Sequence, residues 1–215
     1  MRIGIIIINT KPNIKLLTIL NKISQKVKIS GDNRLISLIK SGHSEIYDEI
    51  VKRYEKKLFS YVYRLVGNKE EAEDILQNVF VKAYKNIKTF DIERKFSSWI
   101  YRIAHNEAIN FLKKRNKKKF ISWEDIVSSK DKMDTKSEER SPIDIWIRKE
   151  SATEVKEAME MLPGKYREVL ILRYFSEKSY EEIGKIIKSP VNTVGTLINR
   201  AKKKLAAVIN LLENK

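Results

Sequence analysis

The stretch 179–205, SYEEIGKIIKSPVNTVGTLINRAKKKL, limits what this chain can become more than any other. Ser179 and Glu182 have the Ser-x-x-Glu spacing of a capping box, which satisfies orphan amides at a helix start. Ile183, Ile186 and Ile187 then form an apolar face at helical period. Gly184 is a small residue where two helices can approach closely. Pro190 ends this first helix, because the residue before a proline avoids the helical region. Thr193 helps to start the second, whose apolar residues are Val194, Leu197, Ile198, Ala201 and Leu205. Asn192, Thr196, Asn199, Arg200 and Lys203 lie on its other face. A short helix, a tight turn and a second helix with a polar, basic outer face follow the helix-turn-helix plan, in which the second helix enters the DNA major groove. An ordinary helical hairpin with a solvated charged face has the same local pattern.

Charge bears on that choice. The chain carries 44 Lys and Arg against 28 Asp and Glu, a net charge of +16. Such an excess suggests a polyanionic partner, nucleic acid or an anionic membrane surface. There are no cysteines and only two histidines, which excludes disulfides, thiol catalysis and Cys-based zinc sites and disfavours a His-rich metal site. Seven Gly and four Pro in 215 residues disfavour turn-rich all-β folds and favour helices. No run approaches the ~18 apolar residues of a membrane span. The apolar run from Ile5 to Ile8 is short for a signal peptide and has no small-residue cleavage site. The expected location is cytoplasmic.

Residues 1–32 are apolar and basic, and are read as an unassigned extension. Helical pattern begins with Leu35, Ile36, Leu38 and Ile39, closed by Ser41-Gly42. Ile46, Ile50, Tyr54, Leu58, Val62 and Leu65 mark a longer helix that Gly67 ends. Asn68 and Glu71 form a capping-box variant for the next helix, whose stripe is Ala72, Ile75, Leu76, Val79, Phe80, Ala83 and Ile87. Its first turn is acidic. Those acids suit a helix N-terminus on their own, or they form a docking patch with the polar Gln77 and Asn78. A loop with Phe90, Arg94, Lys95 and Phe96 follows, and Ser97 or Ser98 is expected to cap the helix after it. That helix ends in six cations within residues 113–119. Their density points to phosphate contact. Aromatics ahead of a basic helix suit a single-strand stacking platform, although core packing is the plainer reading for each of Phe90, Phe96 and Trp99.

Residues 117–150 mix nine basic and eight acidic residues with little periodicity and read as a flexible linker. A coil of that length spans on the order of 30 Å and would let two binding units grip separated sites. Beyond it, Ser151 and Glu154 cap a helix ending at Pro163-Gly164. Another helix covers 165–175, and the helix-turn-helix follows. The expected fold is all-α: two small helical domains, 33–116 and 151–215, on a flexible linker. Net charge is +6 for the first and +4 for the second. Neither histidine has an acid, base and nucleophile constellation around it; His43 reads as solvated and His105 as a helix-surface or packing residue.

The segments EEAEDILQNVFVKAYKNI, FSSWIYRIAHNEAINFLKK and LPGKYREVLILRYFSEKSYEEIG, in that order, resemble bacterial RNA polymerase sigma factors of the extracytoplasmic-function type. The resemblance implies that 33–116 is a region 2 domain binding core polymerase and the minus-ten element. It implies that 151–215 is a region 4 domain binding the minus-thirty-five element. Polymerase contact falls to Asp74, Ile75, Leu76, Gln77 and Phe80, with Asn78 where an acid is usual. Minus-ten contact falls to Arg94, Lys95, Phe96, Ser97, Trp99, Arg102, Asn106, Asn110, Lys113 and Lys114. Residues 90–97 match the family's base-capturing loop, and Arg102 and Ile103 stand where vegetative relatives have adjacent tryptophans. Minus-thirty-five contact falls to Pro190, Val191, Asn192, Thr193, Thr196, Asn199, Arg200 and Lys203. Gly195 and Leu197 replace common Lys and Arg there, so Asn199 and Arg200 are the better candidates for reading bases.

The expected function is a promoter-specificity subunit that binds core polymerase and promoter DNA and helps to melt it. An anti-sigma protein is a further partner the resemblance suggests. No enzyme activity, cofactor, metal or small-molecule substrate is expected, since neither a phosphate loop nor a clustered carboxylate site is visible. The alternative is a stand-alone helix-turn-helix regulator. Polymerase binding through Asp74 and Gln77 separates the two.

Overall fold

A computed structural model describes residues 31–115 and 153–213, which form eight α-helices and no strand among the described residues. The readings placed on 1–30, on the 117–150 linker, on the cations beyond Arg115 and on a cap at Ser151 lie outside these residues. Asp32, read as the end of the extension, instead opens α1 (Asp32–Lys40). Its carboxylate accepts hydrogen bonds from Tyr54 and Arg53 of the next helix.

Glycines punctuate the first bundle where backbone conformation demands them. Gly42 follows α1 at φ 111°, and Gly67 ends α2 (Tyr47–Val66) at φ 79°, with its N–H donating to the Tyr63 carbonyl. Asn68 caps α3 (Lys69–Asn86), its Oδ1 accepting from the Glu71 N–H at 2.9 Å. The Glu71 carboxylate pairs with Arg115 at 2.6 Å. Arg115 also donates to the Val66 carbonyl, so one guanidinium ties the last turn of α4 (Phe96–Arg115) to the α2–α3 corner. The helix α4 begins at Phe96, ahead of the expected serine cap. Phe96 is drawn into the core, and Ser98 is buried inside the first turn with its hydroxyl unpartnered. Fully buried Ile50, Leu58 and Val62 of α2 meet Ala72, Val79 and Ala83 of α3 and Ile100, Ala104 and Ala108 of α4. The alanines let three helices approach closely, and each large aliphatic buried here contributes roughly 1.5–3 kcal/mol.

The second bundle comprises α5 (Thr153–Met161), α6 (Gly164–Leu170), α7 (Tyr180–Ile187) and α8 (Val191–Glu213). The helix expected over 165–175 changes character at Ile171. Residues Ile171–Phe175 form a π-helical turn, closed by the Ser176 N–H on the Ile171 carbonyl at 3.0 Å. The wider turn leaves Arg173, Tyr174 and Phe175 half-buried rather than continuing the α6 stripe. Val169, Leu170, Ile183, Ile186, Val194, Ile198, Ala201 and Leu205 make the core between α6, α7 and α8.

The two bundles pack against each other: α7 lies on α4, and the π-helical turn lies on α2. The Arg64 guanidinium sits 4.0 Å from the Phe175 ring centroid, and the Lys178 ammonium 4.1 Å from that of Tyr101.

Candidate nucleic-acid interface

The capping box predicted from Ser179 and Glu182 is complete. Ser179 Oγ accepts from the Glu182 N–H at 3.2 Å, and the Ser179 N–H donates to Glu182 Oε2 at 2.9 Å. Burial opposes ionisation of Glu182, but bonds from the Ser179 N–H and Lys95 outweigh it and hold its carboxyl below the usual range. The turn closes through Lys188, left-handed at φ 56°, and a Ser189 N–H bond to the Gly184 carbonyl. The close approach at Gly184 is to this turn. A Cβ there would stand 2.7 Å from the Ser189 carbonyl oxygen, with Val194 of α8 at 3.8 Å.

Helix α8 starts at Val191, with Thr193 in its first turn. Pro190, Val191, Asn192, Thr193, Asn199 and Lys203 are exposed, and Thr196 and Arg200 are half-buried. Thr196 Oγ1 donates back to the Asn192 carbonyl. Six of the eight residues expected to face DNA here, Pro190 just ahead of the helix and five on it, are therefore exposed.

On α3, Asp74 and Gln77 are exposed and Phe80 is half-buried. Ile75 and Leu76, assigned to polymerase contact, are 5% and 7% exposed and belong to the core. The reason is helical geometry: both fall in the stripe of Ala72, Val79 and Ala83, which points at α2 and α4. Exposed Val81 and Tyr84 continue the outer surface, with Tyr84 edge-on to Tyr47.

On the minus-ten side, Arg94, Lys95, Asn106, Asn110, Lys113 and Lys114 are exposed, while Ser97, Trp99 and Arg102 are half-buried. Phe96 is 1% exposed and lies in the core. It joins Phe90, Trp99 and Tyr54 in an aromatic cluster with ring centroids 5.1–5.6 Å apart. Core packing, the plainer reading for Phe90 and Phe96, is what they do. Trp99 alone of the three keeps an accessible edge, on a cavity of about 290 Å³ lined also by Lys82, Asn86, Thr89, Ile103, Asn106 and Glu107. Lys82 and Glu107 close one side as an ion pair at 2.7 Å. An aromatic and aliphatic wall facing amides and a hydroxyl can stack a planar ring and hydrogen-bond its edge. Sequence reasoning missed Lys82, Asn86, Thr89 and Glu107, and marked Ile103 only as standing where vegetative relatives have a tryptophan, because the cavity joins the end of α3 to the middle of α4 and no spacing announces it.

Two residues assigned to the minus-ten surface are engaged by the second bundle. Lys95 pairs with Glu182 at 3.3 Å, and Arg102 Nε donates to the Lys185 carbonyl at 2.6 Å. His43 is exposed beside Glu45. His105 is half-buried, with Nδ1 3.0 Å from the Tyr61 hydroxyl. Among the described residues no cluster of His, Cys, Asp or Glu could hold a metal, and no helix is long and apolar enough to cross a membrane.

Two family models match the sequence, Sigma-70 region 2 over residues 50–118 and Sigma-70 region 4 over 152–205. The ECF RNA polymerase sigma factor SigW of Bacillus subtilis is 37% identical over 174 residues, 79% of this chain and 92% of that protein. The fold is similar to that of CnrH in complex with the cytosolic domain of CnrY, with TM-score 0.61 at 21% identity over 84% of this chain and 97% of that one. It is also similar to the sigma factor RpoE in complex with the anti-sigma factor NepR from Bartonella quintana, with TM-score 0.57 at 21% identity over 76% and 96% of the two chains.

Proposed function

Since this chain belongs to the extracytoplasmic-function RNA polymerase sigma factors, we propose how its surfaces divide the work of a sigma factor. Core polymerase docks on α3 through Asp74 and Gln77. The single observation that carries this assignment is their exposure on the face of α3 opposite its buried stripe, with an acidic first turn at the same end. Phe80, half-buried beside them, adds an apolar edge to the contact.

The α4 surface takes the minus-ten element. Lys113 and Lys114, with Arg94 and Lys95, neutralise phosphates, a contribution that weakens as salt rises. The cavity beside Trp99 receives an unstacked base. Extruding one costs a few kcal/mol, which stacking and hydrogen bonds from Asn86, Thr89 or Asn106 offset. The exposed face of α8 takes the minus-thirty-five element in the major groove, with Asn199 suited to adenine and Arg200 to guanine. The chain contributes binding and melting, not covalent chemistry, and works in the cytoplasm with polymerase. An anti-sigma protein is a candidate partner for the same surfaces.

The test is polymerase capture. Asp74→Ala with Gln77→Ala should weaken binding of core polymerase at least tenfold while the far-UV spectrum and unfolding midpoint stay unchanged. Undiminished capture by the double variant would remove α3 as the docking face.

A further inference from the structure

The packing of α7 on α4 has a consequence for access. Lys95 and Arg102 belong to the proposed minus-ten surface, and both are held by α7, through Glu182 and the Lys185 carbonyl. The second bundle thus stands where the promoter would lie. The seam continues to Glu168 of α6, which is 6% exposed although it is an acid. Its Oε2 lies 3.9 Å from His105 Nδ1, and that same nitrogen lies 3.0 Å from the Tyr61 hydroxyl of α2. Each bundle therefore contributes a titratable group to one buried cluster: His105 and Tyr61 from the first, Glu168 from the second.

We infer that the free chain is closed, with α7 laid over part of the minus-ten face of α4, and that the Glu168–His105–Tyr61 cluster is a proton-sensitive latch on that closure. The gating role rests on the sigma-factor reading; the latch itself is a property of the free chain. Closure buries Glu168 and His105 together and opening returns both to water, so any proton they hold differently in the two states couples pH to opening. Burial pushes the Glu168 carboxyl up to about 8, with Lys113 opposing, and pushes His105 down to about 4, with Lys113 adding to the effect. In the closed form the pair accordingly keeps one proton across neutral pH, whichever partner carries it. Opened into water, Glu168 ionises and His105 titrates near 6.5, so the pair is nearly proton-free above pH 7. Opening releases a proton; raising the pH favours it.

Other charged groups also line the seam. Lys113 is on α4 with His105. Arg167, next to Glu168, interacts with Glu160 of α5 and Arg115 of α4. Arg64 of α2 lies on the Phe175 ring, and Lys204 of α8 lies over the Tyr166 ring. On the α7 side, Lys178 faces Glu182, Lys57, Lys95 and Asp32. Burial lowers both Arg167 and Lys178 from their ordinary values; a basic group so held takes up protons on opening, against the sense of Glu168, and the Glu168→Gln comparison separates the two contributions.

The chain has no cysteine, so a dye pair can be placed cleanly at Glu73→Cys on α3 and Ala207→Cys on α8, both exposed. Single-molecule energy transfer on the full free chain should resolve a closed and an open population. Their ratio should move toward open roughly tenfold between pH 6.5 and 8.5. Glu168→Gln should abolish that response and leave at most a shallow one of opposite sign from His105. A ratio that does not move with pH, or a Gln variant that titrates like the parent, overturns the latch. Energy transfer showing only an open form overturns the closure too, even if the chain supports promoter-dependent transcription. A chain that closes as described and never binds core polymerase overturns the sigma-factor reading and the gating role with it.

Discussion

Gly184 and Gly195 illustrate how far a single residue's role could be read before its neighbours were known. Both lie in the helix-turn-helix, and the sequence marked Gly184 only as a site of close contact. The contact proves to be the Ser189 carbonyl, which a Cβ would meet at 2.7 Å, whereas at Gly195 the nearest atom is 3.7 Å away on the Tyr180 ring. Backbone cannot yield as a flexible side chain does. Gly184→Ala should therefore destabilise the chain by roughly 1–3 kcal/mol, while Gly195→Ala should stabilise it by about 0.5–1 kcal/mol through helix propensity; urea unfolding of both variants checks the opposite signs. The same scale explains why three of the expected contact residues are buried in the free chain. Ile75, Leu76 and Phe96 sit beside exposed residues in sequence, and the resemblance carried whole clusters across. Helical periodicity already placed Ile75 and Leu76 in the core stripe, and core packing was the plainer reading of Phe96.

At the scale of elements, local rules predicted well because the interactions they describe are local. The Ser179–Glu182 box spans four residues and forms as its spacing predicts. Gly42 and Gly67 end α1 and α2 at positive φ. Ser179→Ala should cost about 1 kcal/mol of stability, read as a lower unfolding midpoint with the slope unchanged. Two features escaped local rules. Helix α4 starts at the buried Phe96, ahead of the serines. The π-helical turn at Ile171–Phe175 lies at the seam, where Phe175 meets Arg64 of α2. No propensity signals such a turn, since its side chains have the same apolar spacing as a continuous helix.

For the molecule as a whole, the all-α class and the two helical units were legible in the periodicity, the caps and the scarcity of Gly and Pro. Their mutual packing was not. Lys95 and Glu182 are 87 positions apart and Arg102 and Lys185 are 83, and no pattern in either segment names the other. Two basic units suggested a molecule spread along DNA; the structure shows them packed together, with Lys95 and Arg102 of the proposed minus-ten surface held by the second bundle. That arrangement agrees with a subunit that gains promoter specificity only on its polymerase. Run-off transcription with purified core polymerase on a genomic fragment library, with and without the chain, tests this most directly. New transcripts that start at a discrete set of promoters only when the chain is present are the predicted result. An identical transcript set in both reactions would contradict it.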